Sequence, residues 1–382
     1  MGPDISLSGK AGIDAKGNRI VFYSNAPDSG SSEVTLFEFD SDFCMVKNKN
    51  LEKECKLPGY ALLNDFAVTE NYAIFIQPPL ETNMFPYMMS KDPYSSLKRN
   101  ENENAIMHLV PRVDSNAPLK SFPIPVDDLS DCDAHFINAY ENGDEVVLDV
   151  IRSDGRSSSG KNLSWPWAQS VEEYSQIASG KSLWRYRVQT KSGAIEKYLL
   201  SDQQCAFANV NPSVSGGKHR YIYSNVGGMG FDVAPPQGIS KFDCDAGTVE
   251  TWLPKAHEFC GEPMFAPRNK GVDSSSAEDD GYILSLLFNG EKEESEIIIF
   301  NAKSIASGPV ARVPLGMSIP HGYFGCFASG QEAQWESEEI ERRAKLADKM
   351  EQKGNRWNEV KSDFSGLGLR LDDFDEYFGD LL

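Results

Sequence analysis

The stretch Asn64-Asp-Phe-Ala-Val-Thr-Glu-Asn-Tyr-Ala-Ile-Phe75 holds the kind of signal that decides the fold. Its second half opens Tyr72-Ala-Ile-Phe-Ile76, a short aromatic and β-branched run, preceded by the polar turn residues Glu70 and Asn71. Such a run bounded by turn residues reads as a strand. Working outward, the same pattern recurs at Arg19-Ile-Val-Phe-Tyr23, Glu145-Val-Val-Leu-Asp149, Tyr282-Ile-Leu-Ser-Leu-Leu287 and Glu296-Ile-Ile-Ile-Phe300. Glycine turns such as Asp14-Ala-Lys-Gly17 and Glu141-Asn-Gly143 punctuate the series. No long amphipathic helix pattern precedes about residue 335. Short strands spread evenly over the chain predict an all-β fold, either a propeller or a large sandwich. No exact repeat is present, which argues against the repeat-built propeller classes.

The 382 residues suffice for one large β domain or two ordinary ones, and a 40% hydrophobic, 11% aromatic composition can fill a sizeable core. With 57 acidic against 37 basic residues the net charge is -20. That makes nucleic acid and anionic membrane surfaces poor partners, and its ordinary meaning is solubility. The seven cysteines are scattered without a Cys-x-x-Cys pair, so neither a zinc knuckle nor a redox motif is signalled, and a reducing compartment is expected. No apolar run approaches the roughly 18 residues of a membrane span. The opening Met1-Gly-Pro-Asp-Ile-Ser has neither an apolar signal core nor an Arg-rich stretch. The expected location is cytoplasmic, or plastid with a leader out of view.

Residues 153–164 and 269–280 are polar loops. Met84-Phe-Pro-Tyr-Met-Met89 is apolar within loop-like sequence, and two readings stand: a tunnel lip or peripheral membrane contact, or a loop tucked onto the core. Residues 331–382 form an acidic extension. Ser337 can cap a helix to about Lys353, supported by the pairs Glu338/Arg342, Glu339/Arg343 and Glu341/Lys345, with Gly354 as its stop. Residues 371–382 interleave acids with aromatics, which suits either a peptide docking in a protein partner's basic groove or a solvated tail.

Four stretches together resemble the carotenoid cleavage oxygenase family. They are Asn64–Phe75, His135-Phe-Ile-Asn-Ala-Tyr-Glu141, Gly261-Glu-Pro-Met-Phe-Ala-Pro-Arg268 with Glu278-Asp-Asp-Gly-Tyr-Ile-Leu284, and Gly308-Pro-Val-Ala-Arg312 with Ile319-Pro-His-Gly-Tyr-Phe-Gly325. A weaker fifth is Lys10-Ala-Gly-Ile-Asp14. The resemblance implies a seven-bladed β-propeller with a loop and helical cap over residues 1–330, and cleavage of a conjugated double bond in a carotenoid, apocarotenoid or stilbenoid with O₂. It also implies Fe(II) held by four neutral imidazoles, with carboxylates fixing their outer nitrogens. Members of the family carry further residues before the point where this chain begins. The propeller is therefore expected to close with fewer blades, with another chain, or as part of a longer one, because an open sheet edge is usually covered.

Matched position by position, this chain departs from the ligand set. The first family position is Lys10, the second Asn64 and the fourth Phe324; the third is kept as His135. Glu262 remains from the supporting carboxylates, whereas Ala206 stands where another is expected. His321, three residues before Phe324, is a substitute donor to weigh. His108, His219 and His257 fall in loop-like sequence, with surface or hydrogen-bonding roles expected. An ammonium repels iron, an amide binds it weakly and a phenyl ring not at all, so one imidazole makes no selective iron site. The expectation is a degenerate oxygenase-like propeller without catalysis or cofactor, binding a hydrophobic polyene or serving as an assembly subunit. The alternative is an Fe(II) dioxygenase with a rebuilt site using His135, His321 and Glu262.

Overall fold

The computed structural model describes residues 8–327, apart from positions 29, 42, 47–54, 64, 83–96, 101–102, 113–116, 126–133, 154–169, 229–233, 269–276, 321 and 323–324. The chain divides into the units Met1–Cys326 and Phe327–Leu382. Asn64, His321, Phe324, the Met84–Met89 segment and the expected helix and acidic peptide of residues 331–382 lie outside the described residues.

Within the first unit the strands group into successive antiparallel sheets in chain order. The first sheet is β1 (Gly12–Asp14), β2 (Arg19–Ala26), β3 (Ser31–Phe39) and β4 (Cys55–Pro58). The second runs β5 (Ala67–Val68), β6 (Tyr72–Gln77), β9 (Ile106–Pro111) and β10 (Lys120–Pro123), with the ribbon β7 (Leu80–Thr82) and β8 (Leu97–Arg99) emerging from it. The third is β11 (His135–Asn142), β12 (Glu145–Ser153), β13 (Lys181–Gln189) and β14 (Ile195–Ser201), with the short helix α1 (Val171–Ile177) between β12 and β13. The fourth is β15 (Cys205–Asn209), β16 (Tyr221–Gly227), β17 (Pro236–Asp243) and β18 (Thr248–Trp252). In the fifth, β19 (Glu258–Cys260) and β20 (Met264–Pro267) both pair with β21 (Gly281–Asn289), followed by β22 (Glu294–Asn301) and β23 (Pro309–Pro314). All five strand runs expected from the sequence fall on β2, β6, β12, β21 and β22.

Side-chain alternation explains why these sheets stack radially. Successive residues of a strand point to opposite faces. On β6, Ala73 and Phe75 pack with Val21, Tyr23 and Leu36 of the first sheet. Ile74 and Ile76 pack with Leu148 and Tyr186 of the third. Further apolar layers join the third sheet to the fourth, through Ile151 and Phe242, and the fourth to the fifth, through Tyr223 and Ile283. A sheet covered on both faces has apolar residues at consecutive positions, which is why Tyr72–Ile76 lacks a polar alternate. The first strands also meet: β1 lies against β5, β5 against β11, and β11 against β15. Sheets packed face to face, with their first strands gathered at one centre, form a β-propeller. Five sheets are seen among the described residues.

Polar bridges cross the same interfaces. Arg112, buried at the end of β9, donates to Glu38 at 2.7 Å and to Asp14 at 3.2 Å, tying the second sheet to the first. Lys241 meets Asp279 at 2.7 Å between the fourth and fifth. Among the described residues, no helix is long and apolar enough to cross a membrane.

Candidate functional site

Those residues singled out in the sequence that are described occupy one recurring position. Lys10 precedes β1, Asp65 precedes β5, His135 opens β11, Ala206 lies in β15, and Glu262 follows β19. Each falls on or beside the first strand of its sheet. Period-2 pleating and short hairpins bring these positions to the common centre from places far apart in the chain.

At the Lys10 position the ammonium lies 3.0 Å from the Asp65 carboxylate and also donates to the Phe136 carbonyl. Phe136 N–H donates to the same carboxylate at 2.9 Å, and Phe66 N–H donates to its other oxygen at 2.7 Å. The Asp65 side chain is 1% exposed and that of Lys10 is 21% exposed. A buried carboxylate is costly unless paired, and here one cation and two backbone donors satisfy it. Asp65 follows Asn64 in the chain and Phe136 follows His135, so the lysine ties together the residues next to two other expected ligand positions.

Glu262 is held differently. Asn209 donates to one oxygen at 2.8 Å and the Gly325 N–H to the other at 2.8 Å. The register of β15 slips between Ala206 and Asn209, and within that bulge Phe207 has φ of 43°, a conformation unfavourable for a bulky side chain. A cavity of about 310 Å³ lies beside the bulge, lined by Phe207, Pro236, Phe259, Cys260, Glu262 and Phe288 among others. Burial pushes the Cys260 thiol up, away from ionisation. The cavity is therefore an aromatic space with one carboxylate on its wall. Its lining comes from four different strands and the loops beside them, so no local signal in the sequence announced it.

Two of the histidines expected in loops take the hydrogen-bonding role: His219 does lie in a loop, before β16, whereas His108 lies on a strand. His108 sits on β9, completely covered, with Ser121 Oγ 2.8 Å from Nδ1 and Gln77 Oε1 2.8 Å from Nε2. The Gln77 carbonyl can only accept, so Nε2 carries the proton and Nδ1 accepts from the serine. Burial lowers its pKa to about 4. His219 is also buried; Asn138 Nδ2 donates to its Nδ1 at 2.9 Å, and its Nε2 lies 2.9 Å from Asp149. Asp149, His219 and Cys244 lie close enough to suggest a metal trio. However, Arg185 already grips both Asp149 oxygens at 2.7 and 2.8 Å. Burial alone would raise the Asp149 pKa, but those hydrogen bonds and the His219 contact lower it. Burial also pushes Cys244 up to about 12, which makes its thiol a poor ligand. The trio reads as a bridge between the third and fourth sheets.

The family described as retinal pigment epithelial membrane protein matches residues 4–329. The chain belongs to the carotenoid cleavage oxygenase family. It is 29% identical over 309 residues to an apocarotenoid-15,15'-oxygenase of Synechocystis sp., covering 78% of this chain and 57% of that protein. It is 27% identical over 296 residues to a carotenoid 9,10(9',10')-cleavage dioxygenase of Crocus sativus, covering 74% and 51%. A cobalt-substituted Synechocystis apocarotenoid oxygenase superposes with a TM-score of 0.72 at 27% identity, covering 84% of this chain and 64% of that one. The chain spans a little over half the length of these curated relatives.

The carotenoid oxygenase resemblance implies an iron centre. Four neutral imidazoles are the expected set. At the positions expected from the sequence, Lys10 carries an ammonium bound to Asp65, and Phe324 has no donor atom in its side chain. Of the four positions expected from the sequence, His135 alone carries an imidazole. These residues do not fit a four-histidine iron centre.

Proposed function

We propose that this chain binds a carotenoid or apocarotenoid polyene and does not cleave it by the iron chemistry of its family. The observation that carries the reading is the pairing of Lys10 with Asp65 at the first ligand position. The aromatic cavity supports the ligand class, since apolar walls with few polar groups suit a hydrophobic molecule. At about 310 Å³ it matches one end group of a polyene better than its whole length. Glu262, fixed by Asn209 and Gly325, would face the ligand's polar end. Residues 371–382 fit a recruiting role for a protein partner, to be tested by loss of a pulldown partner when they are removed. A cytoplasmic or plastid location accords with both roles.

The second reading is a cleavage dioxygenase with a remodelled metal site built from His135, Glu262 and His321. It is favoured by the relatives, one named as an apocarotenoid oxygenase and the other as a carotenoid cleavage dioxygenase.

One experiment separates the two. Purified protein is mixed with an apocarotenal in detergent micelles under air, then chromatographed, and bound pigment and products are analysed. The expected result is coloured protein with about one intact polyene per chain. Shorter aldehydes formed in proportion to bound iron would establish the second reading. Colourless protein without products would overturn both.

A further inference from the structure

In the family's arrangement a metal cation is the positive charge at the centre where the first strands meet. In this chain an ammonium is there instead, and its contacts are built rather than incidental. Lys10 reaches from the strand-leading segment of the first sheet. Asp65 belongs to the corresponding segment of the second sheet, and Phe136 to the first strand of the third. The triangle closes on itself: Lys10 donates to Asp65 and to the Phe136 carbonyl, and the Phe136 N–H donates back to Asp65. The carboxylate is 1% exposed, so it needs a positive partner whether or not any ligand is present. Any divalent cation entering beside His135 would approach a fixed positive charge with little water to screen it, and would find no surplus negative charge on Asp65.

We propose that the Lys10 ammonium replaces the metal as the central cation, joining the first three sheets and excluding divalent ions from the position they take in the family. The proposal goes beyond ligand binding: it holds whether or not the cavity takes a polyene.

The test uses the whole chain. Thermal unfolding of the wild type is followed with chelator, with anaerobic Fe(II), and with Co(II), whose visible spectrum reports coordination. The expected result is an unchanged melting temperature in all three and no cobalt bands. Lys10→Met is expected to lower the melting temperature by roughly 5–10 °C, because it strands a buried carboxylate. Adding Asp65→Asn to Lys10→Met is expected to recover part of that loss, since the double variant leaves no unpaired charge. Stoichiometric Co(II) bound to the wild type, or a double variant whose losses simply add, would overturn the proposal. Should Lys10→Met fail to fold, the wild-type cobalt titration still decides. Failure to retain polyene would sink the binding reading and leave these outcomes unaffected.

Discussion

Lys10 and Asp65 are 55 positions apart in the chain, yet they form an ion pair beside the first strands of their sheets. Their type could be read from sequence, but their partnership could not, because an ion pair is a fact of tertiary proximity. His108 teaches the same lesson. Its run Ile106-Met-His-Leu-Val-Pro111 gave no sign that Ser121 and Gln77 would meet the ring from neighbouring strands. It also sets a pH dependence. The ring is neutral in the fold, with a pKa of about 4 against the ordinary 6.5. The unfolded chain therefore takes up the proton first, and stability is lost as pH falls from 6.5 towards 4. At pH 5 the loss from this group is about 2 kcal/mol. Urea midpoints at pH 7 and pH 5 should show that drop in the wild type and a flatter response in His108→Gln. Asp149 behaves in the same direction at lower pH, since its pairing with Arg185 is lost only when the carboxylate is protonated.

At the scale of an element, β6 is the most instructive strand. Ile74 and Phe75 are adjacent, both fully buried, and belong to different apolar layers. A strand on a one-sided sheet would tolerate truncation at one of the two. Here Ile74→Ala should cost about 2–5 kcal/mol and Phe75→Ala about 3–5 kcal/mol, as measured by denaturant unfolding. Gly238 on β17 makes the complementary point about close approach. A Cβ there would overlap the Trp252 carbonyl of the paired strand. Gly238→Ala should destabilise by about 2–3 kcal/mol, with the shift in urea midpoint as the readout. The bulge at Ala206–Asn209 is an element-scale device as well, turning Phe207 towards the cavity while placing Asn209 against Glu262.

At the scale of the whole molecule, each internal sheet is wedged between two others, and its central strands show it. Val146 to Arg152 of β12 are all buried, whereas β3 alternates buried and half-buried positions and β23 is mostly exposed. Local opening should follow that gradient. Hydrogen exchange read by mass spectrometry should be slowest at β6, β12 and β16 and fastest at β23. Uniform protection across the five sheets would contradict the gradient.

The sequence by itself determined the all-β character, the strand runs and the turn frames that mark the family, because these rest on local patterns of apolar, turn and glycine residues. Set beside the family pattern, it also puts Lys10, Asn64 and Phe324 where the resemblance calls for imidazoles. Tertiary structure decided what Lys10 does there, which histidines are buried, and that Phe207, Phe259 and Phe288 share one cavity. Those outcomes depend on which strands the propeller brings together, and residues 50 to 130 positions apart become neighbours only when successive sheets gather their first strands at one centre.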